Sequence, residues 1–221
     1  MNGSGRFQPV ICPHCHERID NQKITIQSPK ILIVEGRDEK GFFEAFLRTL
    51  ALAEIQVAGI GGKTQIRPNL KALVKDPDFS KIVSIGIIRD ANADPKAAFQ
   101  SVRDALKSAG LPIPRLPMKL VAGPPRINVM LLPSTERSGE LEDLCLEAFK
   151  NEPIMTCVDQ YFKCVKKLGM REPRKLSKAK VAALLSSQED PAISVGLSAQ
   201  KGFWDFKNAA FLKVKNFLLS M

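Results

Sequence analysis

The chain has 221 residues, 44% apolar and 25% charged, with 33 Lys or Arg against 23 Asp or Glu for a net charge of +10. That composition can bury a core and excludes a disordered chain, and the length suits one ordinary domain with an extension, or two small ones. No apolar run reaches the length of a membrane span, no signal-peptide pattern opens the chain, and five unevenly spaced cysteines argue against a disulfide framework, so a cytoplasmic protein is expected.

Residues 1–29 read as a separate segment. It carries Cys12-Pro13-His14-Cys15-His16. Cys-x2-Cys is a zinc spacing, but a structural zinc needs four ligands, and Cys145, Cys157 and Cys164 lie far away in helical patterns. Zinc at Cys12 and Cys15, with His16, would need a distant or second-chain ligand; a mobile thiol pair is the plainer reading.

From residue 30 strands and helices alternate. Ile31-Leu32-Ile33-Val34 is a β-branched run of the kind buried on both faces, and it stops at Glu35-Gly36-Arg37-Asp38. A helix near 38–52 follows, with Phe42, Phe43, Phe46, Leu47 and Leu50 on one stripe. Ile55 to Ile60 is a second strand. Gly61-Gly62-Lys63 then turns into a helix near 64–75, with glycine spacing that does not meet the P-loop pattern. A strand over 81–89 runs into Asp90-Ala91-Asn92-Ala93-Asp94-Pro95, and Pro95 opens a helix near 95–108. Lys119–Val121 and Ile127–Leu132 read as short strands, a hairpin or a sheet-edge pair around Gly123-Pro124-Pro125. A helix opens after Ser138-Gly139-Glu140, with acids in its first turn.

Beyond Asn151 the pattern is helical only: about 154–168, 177–187 with Ser177 as its cap, and 207–219. From Tyr161 onward there are 12 Lys or Arg and 4 Asp or Glu, a net +8. A local basic surplus is the footprint of a phosphate-backbone partner, and equally the composition of a solvated lysine-rich helix face.

Three acidic clusters sit at predicted element ends: Glu35, Asp38 and Glu39; Asp90 and Asp94; Glu140, Glu142 and Asp143. Turn chemistry and capping account for Asp38, Asp94, Glu140 and Asp143, and less well for Glu35 and Asp90, which end buried strands directly. If those strands are parallel neighbours, both carboxylates emerge at one end of the sheet, where open α/β sheets bind ligands. Mg²⁺ is usually held by one or two carboxylates together with substrate phosphates.

A strand ending in Glu-Gly, followed by a strand ending in an Asp-x-Asp-like run, resembles the TOPRIM domain of topoisomerases, primases and the overcoming-lysogenization-defect nucleases. The likeness covers residues 30 to 135, in the layout of a small stand-alone branch. The resemblance implies a first glutamate, here Glu35, acting as general acid or base. It also implies metal held by the Asp-x-Asp, by a glutamate four residues after the first (Glu39) and by acids on a later helix (Glu142). Asp90-Ala91-Asn92 departs from Asp-x-Asp: Asn92 offers a carbonyl oxygen without charge, and Asp94 is expected to supply the missing carboxylate. The nucleases also carry a lysine C-terminal to the acids, matched here by Lys201 in the only Trp-bearing stretch. The ordinary alternative is a solvated Lys201 beside core-packed Trp204 and Phe206.

The expected fold is therefore α/β, a Rossmann-like TOPRIM sheet of four or five largely parallel strands with a C-terminal helical extension. It divides into a segment 1–29, an α/β domain 30–150 and a basic helical extension 151–221. The expected function is Mg²⁺- or Mn²⁺-dependent phosphoryl transfer on nucleic acid, DNA or RNA, as a nuclease. Glu35 and Lys201 would be catalytic, and Glu35, Glu39, Asp90, Asn92, Asp94 and Glu142 would surround metal. The alternative is a non-catalytic nucleic-acid-binding or regulatory module of the same fold. Neither reading involves a membrane, and an ATPase chain or a second copy is the expected protein partner.

Overall fold

The computed structural model describes residues 24–221. The Cys12/Cys15 zinc expectation lies outside the described residues. Four strands, β1 (Lys30–Val34), β2 (Ile55–Gly59), β3 (Ser84–Asp90) and β4 (Arg126–Leu132), form one sheet in the order β2-β1-β3-β4. Every pairing is parallel. The direction of strand addition reverses between β1 and β3, which is where an open α/β sheet leaves a crevice at its carboxyl end.

Side-chain alternation along the strands builds a core on each face. Ile31, Ile33, Ile85, Ile87, Ile127 and Val129 face α2 (Ile66–Leu73) and α3 (Pro95–Ser108), meeting Leu70, Leu73, Val102 and Leu106. Leu32, Val34, Ile88, Met130 and Leu132 face α1 (Arg37–Thr49), α4 (Leu141–Phe149) and the helices after them. Those later helices are α5 (Ile154–Lys167), α6 (Leu176–Ser186), α7 (Val195–Gln200) and α8 (Leu212–Leu219). Val181, Leu184 and Phe217 of these helices, with Trp204, Phe206 and Phe211 between α7 and α8, pack into the same cluster as α1. Phe46 stacks on Phe206 with ring centroids 4.2 Å apart, and the Trp204 indole N–H donates to Ser198 Oγ at 2.8 Å. Among the described residues no helix is long and apolar enough to cross a membrane.

Three expectations are corrected. The hairpin is not formed: Arg126–Leu132 is a seven-residue strand parallel to β3, buried at every position but the first, and Val121 makes only a single antiparallel bridge to Ile127. Ser177 does not cap its helix, because α6 begins at Leu176 and the Ser177 hydroxyl donates instead to Asp143 Oδ1. The last helix begins at Leu212, after a turn over Ala209–Phe211 in which Asn208 accepts the Ala210 N–H at 2.9 Å.

The short helix α7 was not anticipated, and it is fixed from outside. The Asp38 carboxylate accepts the N–H groups of Val195 (3.2 Å) and Gly196 (2.6 Å), capping α7 from the first turn of α1. The two backbones then touch: a Cβ on Gly41 would lie 3.3 Å from Gly196 Cα, and one on Gly196 would collide with the Asp38 carbonyl oxygen. Gly196→Ala should therefore destabilise the protein by about 1–3 kcal/mol, the usual cost of overpacking a fixed contact. Urea unfolding reads this as a lower midpoint at unchanged slope; an unchanged midpoint would show that α7 is free to shift.

Candidate functional site

Glu35 follows β1 directly and Asp90 is the last residue of β3, so parallel pairing of these neighbours brings both to the carboxyl end of the sheet. Alternation starts them on different faces. Glu35 and Arg89 continue the series facing α2 and α3, and Asp90 continues the series facing α1 and α4. Arg89 Nε lies 3.4 Å from Glu35 Oε1, while another guanidinium nitrogen donates to Ser101 Oγ at 3.0 Å. The 3.4 Å contact is an ion pair but not a hydrogen bond: both atoms are buried without a hydrogen-bond partner. The Asp90 backbone amide also acts on the Glu35 carboxylate. The Asp90 carboxylate itself, only 8% exposed, accepts the Leu141 N–H at 3.0 Å.

Two loops frame this pair. Gly61 and Gly62 adopt positive φ (76° and 113°), open to glycine at little cost, and the Gly62 N–H donates to the Glu35 carbonyl at 2.7 Å. This turn brings Lys63 beside Glu35, with Ile60 and Arg89 around them. On the other side Asn92 (φ 51°) exchanges two 2.7 Å backbone hydrogen bonds with Gly139, tying the end of β3 to the entry of α4. Glu140 and Glu142, both buried, follow at that entry. Helix α6 lays lysines over them: Lys175 Nζ donates to Glu140 Oε2 at 2.8 Å, and Lys178 Nζ to Glu142 Oε1 at 2.5 Å. Glu39 folds back from α1, its Oε2 over Gly36 where a Cβ would meet it at 2.6 Å.

The result is a cluster of buried acids ringed by cations. Burial is the largest influence on Asp90, and Glu35, Glu39, Glu142 and Glu140 add to it, pushing its pKa up to about 8. Burial also raises Glu35, against the pull of Arg89, the Asp90 amide, Lys63 and Lys175. It raises Glu39 too, with Asp38 and Glu142 adding and Lys178 opposing. For Lys178 burial works against the charge, and Glu142, Glu140 and Asp90 outweigh it, so its pKa is raised.

The structure thus gathers Glu35, Glu39, Asp90 and Glu142 from the sequence-derived set. Asn92 is adjacent but its side-chain amide donates to the Asp90 carbonyl at 3.2 Å. Asp94 is exposed and caps α3, its Oδ1 accepting the Ala97 N–H at 3.1 Å. Lys201 ends α7 and pairs with Asp190 at 2.6 Å, in the exposed position its ordinary alternative described. The cations beside the acids are Arg89, Lys63, Lys175 and Lys178. The only sequence sign of the last two was a pair of lysines three apart at a helix start; their partners lie 35 and 36 residues earlier. A broad cleft of about 1040 Å³ lies elsewhere, along β2 and the outer side of α1, and holds none of these acids.

As a metal site the cluster fits in part. Among the described residues no three His, Cys, Asp or Glu side chains are gathered closely enough to hold an ion by themselves. Glu35 Oε1 is nonetheless a buried carboxylate oxygen without a hydrogen-bond partner beside a second buried carboxylate, and a hard cation needs only one or two such ligands when substrate phosphates and water supply the rest.

A family model described as "Protein of unknown function (DUF3226)" matches residues 29–221. No curated protein matches the chain. Two solved structures of the C-terminal region of the Xanthomonas campestris pv. campestris OLD protein, phased with mercury and with iodine, are similar at 15% and 17% identity. Each alignment covers 89% of this chain, and 88% and 87% of theirs, with a TM-score of 0.38.

The raised Asp90 pKa gives stability a definite pH dependence. An acid that is harder to ionise in the folded chain binds more protons folded than unfolded, so stability is fully present below the ordinary aspartate range and is lost as pH rises toward about 8. Urea unfolding in chelator should show wild type losing stability as pH rises from about 4 to about 8. Asp90→Asn, which keeps an acceptor for the Leu141 N–H, should flatten that loss. Parallel profiles for the two proteins would show that Asp90 does not carry it.

Proposed function

The chain belongs to that family, and we propose that it is a divalent-metal-dependent phosphoryl-transfer enzyme on nucleic acid, a nuclease with a TOPRIM-type site. The observation that supports this most is the placement of Glu35 and Asp90. Two carboxylates largely out of water end adjacent central strands, and one keeps a buried oxygen without a hydrogen-bond partner. A fold that only needed to close its core would place apolar residues there, since burying a carboxylate oxygen without a hydrogen bond is costly even beside an arginine.

Glu35 and Asp90 would hold Mg²⁺ or Mn²⁺, with Glu39 and Glu142 close behind. A bound divalent cation lowers the pKa of water and offsets charge on phosphate oxygens. The chain's own groups do the rest. Glu35, raised by burial, takes the proton of the attacking water as its oxygen bonds to phosphorus; the bond to the leaving sugar oxygen breaks, and that oxygen takes a proton from solvent water. Lys63 and Arg89 on one side, and Lys175 and Lys178 on the other, offset the charge on the non-bridging oxygens. Lys178 fills the role that the sequence suggested for Lys201, because it is the lysine bonded within the acid cluster.

A second reading has its own support. Asn92 stands where a carboxylate is expected, and Lys175 and Lys178 already neutralise Glu140 and Glu142. A non-catalytic nucleic-acid-binding or regulatory module would have this arrangement.

Calorimetry with Mn²⁺ should show binding to wild type that Glu35→Gln and Asp90→Asn each weaken at least about tenfold, the loss of one charged ligand. Asp94→Asn should bind as wild type does, since its carboxylate serves α3. Lys178→Ala should bind Mn²⁺ no more weakly yet slow cleavage of a labelled oligonucleotide about a hundredfold. Silence in the wild-type titration would leave the second reading.

A further inference from the structure

We propose that the arm formed by the end of α5, the loop after it and the start of α6 binds single-stranded nucleic acid and leads it into the acid cluster. The inference rests on the reading of that cluster as a nucleic-acid site, and it names the substrate form and the surface.

Between Lys163 and Lys180 the chain carries eight Lys or Arg and one acid. Three lysines of this basic stretch do not serve as a free surface. Lys175 and Lys178 are turned onto Glu140 and Glu142, and Lys180 pairs with Asp159 at 2.7 Å. Lys166 pairs with Glu172 at 3.0 Å. Lys163, Lys167, Arg171 and Arg174 are exposed, and no acidic partner is present for them among the described residues. Lys163 and Lys167 are one helical turn apart on α5, and Arg171 and Arg174 follow in the loop between α5 and α6. Arg174 adjoins Lys175, whose ammonium group is already inside the site. In chain order the free positive charge therefore runs up to Arg174, the residue before the lysine that is bonded to Glu140 in the acid cluster. Its complement is a polyanion with closely spaced charges.

The apolar residues of the arm select among polyanions. Tyr161, Leu168 and Met170 are 58%, 73% and 62% exposed. Tyr161 and Leu168 are seven apart, two turns along one face of α5, and Gly169 at φ 73° turns the chain so that Met170 follows at the tip. A duplex hides the faces of its bases and offers such side chains nothing along its phosphate surface. A single strand presents unstacked bases beside its phosphates, and sequence-tolerant single-strand binders combine a basic track with flat or apolar side chains in this way. A lipid surface would match the charge but calls for a long apolar stripe on one helix face rather than three residues around a loop.

The test uses the full chain in chelator, so that binding is read apart from any metal. Fluorescence anisotropy follows a labelled oligothymidylate strand and a duplex of equal length across a salt series. Replacing Lys163, Lys167, Arg171 and Arg174 together by Gln should lower the slope of log affinity against log salt by about three, since each single-strand phosphate contact contributes about 0.7. Replacing Tyr161, Leu168 and Met170 together by Ser should weaken single-strand binding about tenfold and leave duplex binding unchanged. All seven positions are exposed, and a thermal melt of each variant checks that it folds. A slope unchanged in the Gln variant, an equal loss on strand and duplex, no binding by wild type, or capture by phosphatidylserine vesicles without oligonucleotide binding would each overturn the proposal. The Mn²⁺ titration separates this from the site reading. Loss of the arm's effect with metal binding intact removes only the arm. A salt slope carried by the arm with a silent titration leaves a binding surface without cleavage.

Discussion

The parallel pairing of β1 with β3, from Lys30 opposite Ser84 to Ile33 opposite Ile87, is the contact on which the rest depends. Parallel neighbours finish at the same end, so Glu35 and Asp90 arrive together without either loop having to reach. The same pairing sets the alternation that turns Arg89 toward Glu35 and Asp90 toward the entry of α4. Had either strand slipped by one residue, its site residues and its apolar residues would have changed face together. The site and the two cores are specified by one register.

Around that register the chain distributes charge in layers. Acids lie innermost, on Glu35, Asp90, Glu140 and Glu142, and the four cations Lys63, Arg89, Lys175 and Lys178 come from three separate parts of the chain. Burying a carboxylate is unfavourable unless something returns part of what hydration supplied. Backbone amides of Asp90 and Leu141 do so in part, and the ring of cations does more. The protein's own basic groups balance this negative charge incompletely, and Asp90 relieves the remainder by keeping its proton up to about pH 8.

Much of this was legible where local chemistry decides structure. The β-branched runs before Glu35 and Asp90 became buried strands, and the helix from Pro95 began and ended as read, with Asp94 as its cap. What was not legible is what only tertiary partners decide. Six residues, Val-Gly-Leu-Ser-Ala-Gln, give no helical stripe, and besides its local Ser194 cap α7 is held by Asp38 from 157 residues away. Ile127–Leu132 resembled half a hairpin, yet its burial on both faces places it beside β3. Asp94 and Asp90 looked equivalent as acids near a strand end; one is consumed by a helix terminus and the other is enclosed by α4. Lys178 looked like any surface lysine until α6 was laid over Glu142.

The glycine contact between α1 and α7 has a further meaning. With no side chain on Gly41 or Gly196 at the crossing, the two backbones are at their limit of approach, and there is no spacer left to adjust. Asp38 fastens α7 at this crossing, and the very next residue, Glu39, belongs to the acid cluster. A displacement of α7 would therefore bear directly on the stretch of α1 backbone that carries Glu39. The crossing works as a bearing without play, and the Val195 and Gly196 amides, bonded to Asp38, become natural reporters of events at the carboxylates: their exchange with solvent deuterium would register a change at the site from the far side of the helix.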